Sequence, residues 1–330
     1  MATGSVLGVI GRGRLVCFLA VLLPACHRQP PPTGDHKPDR AAARPVPPAN
    51  APVIPVSSTL LEVIPPHEGW ELGRVSWVAS DRNGLIYLLQ RGDKADPVVV
   101  INRDGRVVRS WGKGKYVMPH SIRIDRDGNV WTTDAATSVV AKFSPQGKQL
   151  MTLHVGGQPV DCTNQFCGTT DVAFGPEGQV YIADGYANGR IVEYTADGRK
   201  VREWGRKGSA PGEFNLPHSI VVDEDGIIYI ADRENRRVQR FDHAGRWLGT
   251  WQTNGSPYSL DISAGVIWIS VLPPPEASAS KRILVKTERQ SGSSIGQIDV
   301  TQVHGFAIVS AGGQVLVPAM RGLDILEVRR

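Results

Sequence analysis

Long apolar runs, cysteines and clusters of basic residues are all scarce in this chain of 330 residues. Its N-terminal apolar stretch, residues 15–23, is well short of the roughly 20 residues that cross a bilayer. The formal net charge of +5 comes with no basic run and no nucleic-acid-binding motif, so we expect no nucleic-acid partner. What remains, with 41% hydrophobic and 21% charged residues, is the composition of an ordinary globular protein.

The first residues predict export. Arg12 and Arg14 precede the apolar stretch, and Leu23-Pro24-Ala25-Cys26 ends it in a manner that resembles a bacterial lipoprotein box. We therefore expect residues 1–26 to be a lipoprotein-type signal peptide, with the protein in the bacterial cell envelope and held on a membrane by lipid on Cys26. The alternative is a plain secretory signal, which would give a secreted or periplasmic protein.

Residues 27–57 contain nine prolines and predict an extended, disordered linker ahead of the folded domain. Of the four cysteines, Cys17 lies in the signal and Cys26 is the candidate lipid site. The other two, Cys162 and Cys167, are expected to pair in an exported protein, although their separation of five residues is short.

A short theme repeats from residue 74 onward: an apolar strand, an acidic or polar turn with glycine, and a second apolar strand. The clearest copies are residues 122–134, 172–184 and 220–232. Such turns between alternating apolar residues are typical of β-hairpins. Because a third and a fourth strand follow in each copy, the repeat indicates the blade of a β-propeller, which takes about 40–50 residues.

Six copies are present, and they begin near Val75, His120, Thr170, His218, Tyr258 and His304. The sequence therefore predicts an all-β fold, a six-bladed β-propeller over residues 58–330. The sixth copy has room for about three strands, and residues 59–64 could supply its fourth and close the ring, which removes an exposed sheet edge. An open ring or seven blades is the alternative.

Three histidines, His120, His218 and His304, lie at the same step of alternate copies. In a closed six-bladed ring, alternate copies are about 120° apart, so these imidazoles are expected to converge on the axis. Three histidines with an open fourth position hold zinc in catalytic sites. Each histidine could instead be a hydrogen-bonded packing residue. In the intervening copies the same step holds Ser76, Thr170 and Tyr258.

Residues that directly follow the second strand of a blade are expected on the same face as the histidines, because that strand runs antiparallel to the first. They include Arg91, Tyr186 and Arg233. Topology alone makes these three side chains candidates for the same cavity.

The repeats resemble NHL-type propeller blades, and residues 74–330 resemble the peptidyl-α-hydroxyglycine α-amidating lyase family. The strongest matches are residues 170–194, Pro211-Gly-Glu-Phe214, Pro217-His-Ser-Ile220 and residues 231–241. Gln90-Arg-Gly-Asp93 and Pro119-His-Ser-Ile122 match as well.

This resemblance implies a zinc-dependent lyase that cleaves the C–N bond of a peptidyl-α-hydroxyglycine or a similar carbinolamide, releasing an amide and glyoxylate. The substrate would be a small molecule or the C-terminus of a peptide. By motif, the zinc ligands would be His120, His218 and His304, and the catalytic residues Tyr186, Arg91 and Arg233. Tyr186 would act as general base once the cation and an arginine depress its pKa from about 10, and an arginine would hold the carboxylate.

The chain departs from the family at two points. The family has a cysteine after the tyrosine, bonded to the one that matches Cys167; this chain has Ala187 there, so Cys167 pairs with Cys162 or stays free. The family also has an aspartate after the third histidine, which helps to hold a structural calcium. Here that residue is Gly305, so structural Ca²⁺ is doubtful.

Two other functions compete with the lyase hypothesis. A non-catalytic NHL propeller would bind a partner protein or an envelope glycan on its rim. A different lyase or hydrolase could also use the same scaffold, because a fold does not fix a function.

Overall fold

The computed structural model describes residues 51–156, 166–274, 282–300, 304–309, 313–319 and 322–328. These residues form 24 strands in six four-stranded antiparallel sheets. Within the described ranges, no helix has the length and hydrophobicity required for a membrane span. The predicted signal peptide and residues 27–50 of the predicted linker lie outside them.

The first half of the chain supplies one strand that closes the ring and the three blades that follow it. These strands are β1 Val56–Glu62; β2 Val75–Ser80, β3 Ile86–Gln90, β4 Val98–Ile101 and β5 Val107–Trp111 in blade one; β6 Pro119–Ile124, β7 Val130–Asp134, β8 Val139–Phe143 and β9 Gln149–His154 in blade two; and β10 Asp171–Phe174, β11 Val180–Asp184, β12 Arg190–Tyr194 and β13 Lys200–Trp204 in blade three.

The second half supplies the other three blades. Their strands are β14 Pro217–Val222, β15 Ile228–Asp232, β16 Arg237–Phe241 and β17 Trp247–Gln252 in blade four; β18 Ser256–Ser263, β19 Val266–Leu272, β20 Arg282–Glu288 and β21 Ser294–Val300 in blade five; and β22 Ala307–Val309, β23 Gln314–Pro318 and β24 Gly322–Val328 in blade six.

The ring closes through the N-terminal strand. β1 pairs antiparallel with β24 from Val56↔Val328 to Glu62↔Gly322, which gives blade six its fourth strand. The six-bladed β-propeller predicted from the sequence is therefore confirmed. The strand begins two residues ahead of the predicted domain start at residue 58, and Val53 already bridges Gln297 of blade five.

The hydrophobic core is divided into six buried clusters, each between two neighbouring blades. Between blades one and two, for example, Trp77 and Tyr87 pack against Ile122 and Phe143. Inward and outward residues alternate along the strands, so each sheet has an apolar face toward both neighbours. Burial of these faces holds the blades at fixed angles around the central channel.

The Asp-x-x-Gly turns fix the hairpins at the channel side of the blades. In blade two, Asp125 Oδ1 accepts hydrogen bonds from the backbone N–H groups of Asp127 and Asn129 at 3.0 and 2.8 Å. Gly128 has a φ of 84°, a left-handed conformation that suits glycine. The turn sets the register of β6 against β7 and thereby the position of His120 at the other end of β6.

An ion pair in the channel joins blades that are distant in sequence. Arg123 of β6 donates two hydrogen bonds to the carboxylate of Asp171 on β10, at 3.0 and 2.6 Å. The same guanidinium donates to Ser219 Oγ and to the Leu260 carbonyl, and it lies 4.9 Å from the Trp77 ring. One side chain of blade two thus contacts four other blades.

Candidate metal centre

An irregularity at the start of the innermost strand turns the histidines out of the β ladder. In blade four the register shifts between Pro217 and Ser219, so His218 has no cross-strand partner. Blade two shows the same shift at His120. A bulge of this kind re-aims a side chain, here toward the channel.

The three predicted ligands meet in the channel. The ring centroids of His120, His218 and His304 are 4.9, 4.8 and 5.2 Å apart in pairs. Their potential ligand atoms all lie within 4.8 Å of one another. His120 and His218 are fully buried, and His304 is partly exposed. Side chains from blades two, four and six therefore form a candidate site for one metal ion.

Each histidine is oriented by a main-chain carbonyl of the following blade. Nδ1 of His120 lies 2.6 Å from the Thr170 carbonyl, and Nδ1 of His218 lies 2.5 Å from the Tyr258 carbonyl. His304 makes the same bond to Ser76 at 2.6 Å. Because a carbonyl can only accept, each Nδ1 carries the proton, and each Nε2 keeps its lone pair for a ligand.

The environment also keeps the imidazoles neutral. Burial lowers the pKa of His120 and His218 well below the usual value and lowers that of His304 to about 3. Neutral imidazole is the form that ligates a metal. Three neutral, pre-oriented nitrogens with no carboxylate in the set fit a borderline cation such as Zn²⁺.

Tyr186 lies directly against two of the histidines. Its hydroxyl is 2.8 Å from Nε2 of His120 and 3.2 Å from Nε2 of His218. Burial raises the pKa of Tyr186 to about 12, whereas the charges of Arg233 and Arg91 act in the opposite direction. The expected depression of this pKa is therefore not produced by the arginines alone, because removal from water outweighs them.

The two predicted arginines flank the same site from blades one and four. Arg91 donates from Nε to the Pro119 carbonyl at 2.9 Å, and its buried Nη2 has no hydrogen-bond partner among the described residues. Arg233 lies 4.9 Å from the Tyr258 ring and forms an ion pair with Glu234 at 2.7 Å. Each arginine therefore has N–H groups, beyond those in the contacts above, that could donate to a ligand in the site.

Phe166 covers the outer side of Tyr186. The two rings are 5.0 Å apart, and the guanidinium of Arg91 is 5.7 Å from the Phe166 ring. The next residue, Cys167, is disulfide-bonded. Its predicted partner Cys162 lies outside the described residues.

The surroundings of His304 explain the glycine that follows it. Gly305 has a φ of 60°, and a Cβ there would lie 2.4 Å from the Trp77 ring. Trp77 itself packs edge-on against His304 at 5.7 Å. Residue 305 therefore offers no carboxylate to a cation. That structural Ca²⁺ is doubtful stays a prediction. A cavity of about 390 Å³, lined by Arg74 among others, opens beside His304.

All six residues singled out from the sequence lie around one point in the channel. The other histidines of the described residues, His67, His154 and His243, are exposed. The sequence reasoning missed the carbonyl acceptors, Phe166, and the channel ion pair between Arg123 and Asp171. Residue types do not reveal which main-chain carbonyls act as acceptors. The repeat does, however, identify Ser76, Thr170 and Tyr258, the three residues that carry them.

Together the fold and the site define a six-bladed β-propeller with a buried cluster of three histidines. The family model for the NHL repeat matches residues 214–241, which contain His218 and Arg233. The streptogramin B lyase structure has the same fold, with a TM-score of 0.57 at 13% identity over 83% of this chain and 98% of that one.

More specific similarity is found among amidating enzymes. The chain is 39% identical over 224 residues to peptidyl-alpha-hydroxyglycine alpha-amidating lyase 1 of Drosophila melanogaster, covering 64% of this chain and 40% of the relative. It is 36% identical over 200 residues to the peptidylglycine alpha-amidating monooxygenase of Rattus norvegicus, covering 51% and 20%. The predicted resemblance is confirmed, although the chain spans only a fifth to two fifths of these relatives.

Proposed function

We propose that this protein is a zinc-dependent lyase that cleaves the C–N bond of a peptidyl-α-hydroxyglycine or a similar carbinolamide, releasing an amide and glyoxylate. The observation that carries the proposal is the tyrosine hydroxyl in contact with two of three convergent histidines. Relatives named as amidating lyases support the same reaction class.

His120, His218 and His304 would hold the zinc ion through Nε2, because their Nδ1 protons are committed to carbonyls. Bound there, zinc supplies a Lewis acid that lowers the pKa of a hydroxyl group beside it. The imidazoles contribute no charge of their own, so the positive charge of the ion is left to act on the substrate and on Tyr186.

Tyr186 is the proposed proton carrier. The reaction takes the proton from the carbinol hydroxyl, forms the aldehyde C=O, breaks the C–N bond and returns a proton to the amide nitrogen. Tyr186 Oη would accept the first proton and donate the second, so the proton count balances. Burial raises the pKa of this phenol to about 12. The deprotonated form of Tyr186 is therefore populated only if nearby positive charges lower that pKa.

Arg91, together with Arg233, would hold the carboxylate of the substrate. Nη2 of Arg91 is buried without a partner among the described residues, and a buried, unpaired guanidinium nitrogen is costly unless a ligand completes it. A carboxylate fits this planar donor group. The cavity beside His304 leaves room for the substrate to reach the site from the partly exposed side.

Glyoxylate release from an N-acyl-α-hydroxyglycine tests the proposal. We expect activity in the zinc-loaded wild type and at least a hundredfold loss of kcat in Tyr186→Phe, the usual size of a lost general base. Zinc content should be unchanged in that variant, since the ring still packs on Phe166. Tyr194→Phe, which alters a tyrosine between blades two and three, should keep full activity.

Full activity in Tyr186→Phe would remove this residue from the mechanism. A wild type that binds zinc but releases no glyoxylate would favour another reaction on the same scaffold. A protein that binds no metal would instead favour a non-catalytic propeller that binds a partner protein or a glycan.

We also propose that the protein is exported to the bacterial cell envelope and anchored by lipid on Cys26. The Arg-rich start, the short apolar stretch and Leu23-Pro24-Ala25-Cys26 support this. Cys26→Ser should move the protein from the membrane fraction to the soluble fraction. Retention of the variant on the membrane would rule out this anchor.

A further inference from the structure

Tyr258 lies in the gap between two of the candidate ligands. Its ring is 5.2 Å from the ring of His218 and 6.4 Å from that of His304. Its own carbonyl accepts the Nδ1 proton of His218. The main-chain carbonyl of this residue therefore orients one candidate ligand, while its ring lies beside two of them.

The three gaps between the histidines are filled by three different side chains. Tyr186 contacts His120 and His218. The charge of Arg91 lowers the pKa of His120 and of His304, secondary to burial. Tyr258 lies beside the remaining pair, His218 and His304, so a second phenol ring is near the histidines.

The repeat makes Tyr258 stand out from its equivalents. Ser76, Thr170 and Tyr258 occupy the same step in blades one, three and five. The Ser76 hydroxyl donates to the Leu89 carbonyl, and that of Thr170 donates to the Pro217 carbonyl at 2.7 Å. The Tyr258 hydroxyl has no hydrogen-bond partner among the described residues, which distinguishes it from the other two.

The neighbours of this hydroxyl point to an anionic ligand. The guanidinium of Arg233 lies over the Tyr258 ring at 4.9 Å. The Tyr258 oxygen is also close enough to Tyr186 to affect the pKa of that phenol. A phenol O–H beside a guanidinium is a donor pair suited to a carboxylate, since a hydrogen bond to a charged acceptor is about twice as strong as a neutral one.

We infer that Tyr258 is a substrate-binding residue whose hydroxyl donates a hydrogen bond to the carboxylate of the substrate, next to Arg233. This inference rests on the proposed function for the identity of the substrate, but not for the anionic nature of the ligand. It gives blade five a role in recognition, in addition to the carbonyl that orients His218.

Tyr258→Phe isolates the hydroxyl, because it keeps the carbonyl for His218 and the ring under Arg233. In the zinc-loaded full chain we expect KM for an N-acyl-α-hydroxyglycine to rise about tenfold, the cost of a lost hydrogen bond to a charged group, with kcat within about twofold. Calorimetry should show about tenfold weaker binding of N-acetylglycine and unchanged binding of neutral N-acetylglycinamide. Zinc content should not change, and Tyr194→Phe should match the wild type throughout.

The binding measurement separates this inference from the lyase proposal. A wild type that releases no glyoxylate, yet binds N-acetylglycine more tightly than Tyr258→Phe does, would overturn the lyase and support Tyr258. Equal KM and equal N-acetylglycine affinity in the two proteins would overturn Tyr258. So would an equal loss of affinity for both probes, or a wild type that binds neither.

Discussion

Blades two to four and blades five and six build the same architecture by different means. In blade four the second strand ends in Asp232, which accepts from the Asn215 N–H, Asn235 and Arg237 at 2.7–2.8 Å. Blade five has Val271 at the corresponding position, opposite Pro257. An aspartate therefore caps the loop after the second strand in blade four, whereas the apolar Val271 provides no such cap in blade five.

The boundary between these two regions runs through the candidate metal centre. His120 and His218 come from the capped region and are fully buried, whereas His304 comes from blade six and is partly exposed. The position of His304 depends on two contacts with blade one, the Ser76 carbonyl and the Trp77 ring. The comparison teaches that the more exposed of the three candidate ligands belongs to the second region.

The largest effect is expected at the buried ion pair whose arginine reaches from the first region into the second. Asp171→Ala removes the partner of Arg123, whose guanidinium also reaches the Leu260 carbonyl in blade five. Asp261, at 3.8 Å, would be the one carboxylate left beside this buried guanidinium among the described residues. Loss of the closer carboxylate should lower the free energy of unfolding by about 3–5 kcal/mol. Urea unfolding measures this loss.

The control is an exposed ion pair, Lys94 with Glu71, in which both side chains are more than half exposed. Glu71→Ala should cost less than about 1 kcal/mol. A similar cost in the two variants would mean that the channel pair does not couple the blades.

A smaller effect is expected on the His304 side of the candidate metal centre. Gly305→Ala puts a Cβ 2.4 Å from Trp77 at a φ of 60°, so strain and overpacking should together cost about 3 kcal/mol and weaken zinc binding through His304. Gly313→Ala in the same blade has a similar φ of 67° but no atom within 4 Å. It should cost only about 1 kcal/mol and leave zinc binding intact. Equal costs would contradict the packing explanation.

The smallest effect is expected from the turn between β6 and β7 in blade two. Although burial acts to raise it, hydrogen bonds from Trp131 and Asn129 hold the pKa of Asp125 below its usual value. Its folded-state pKa is depressed, so its stabilisation is fully present above the unfolded pKa of about 3.9 and is lost as the pH falls through the folded value. Asp125→Asn should cost about 1 kcal/mol at pH 7.

That cost should disappear in acid, as measured by urea unfolding between neutral pH and pH values below the folded pKa. Asp127→Asn, an exposed residue of the same turn, should have no measurable effect at any pH. A pH-independent cost for Asp125→Asn would show that the turn geometry matters, not the charge.

Much of the fold and the centre could be predicted from the sequence because both follow the repeat. The Asp-x-x-Gly turns identified the hairpins, and the shared step of His120, His218 and His304 in their repeats placed them on alternate blades before any coordinates were known. Closure by the N-terminal strand was also predictable, since blade six lacked a fourth strand.

The remaining features depend on contacts between residues that are far apart in the chain. Arg123 looks like an outward-facing residue of an amphipathic strand, and its partner Asp171 is 48 residues away. The sequence showed Gly305 as a departure from the family's aspartate. The Trp77 ring that requires a glycine there, however, comes from the other end of the chain. Tyr258 was identified by its step in the repeat, yet only its neighbours His218 and Arg233 give its hydroxyl a role.

Zinc stoichiometry tests the central claim most directly: that one imidazole from each of blades two, four and six holds a single ion. Elemental analysis of the full chain should find about one zinc per molecule in the wild type and in the exposed control His154→Ala. The variants His120→Ala, His218→Ala and His304→Ala should each lose it. A wild type without bound metal, or three histidine variants with as much zinc as the wild type, would contradict the account.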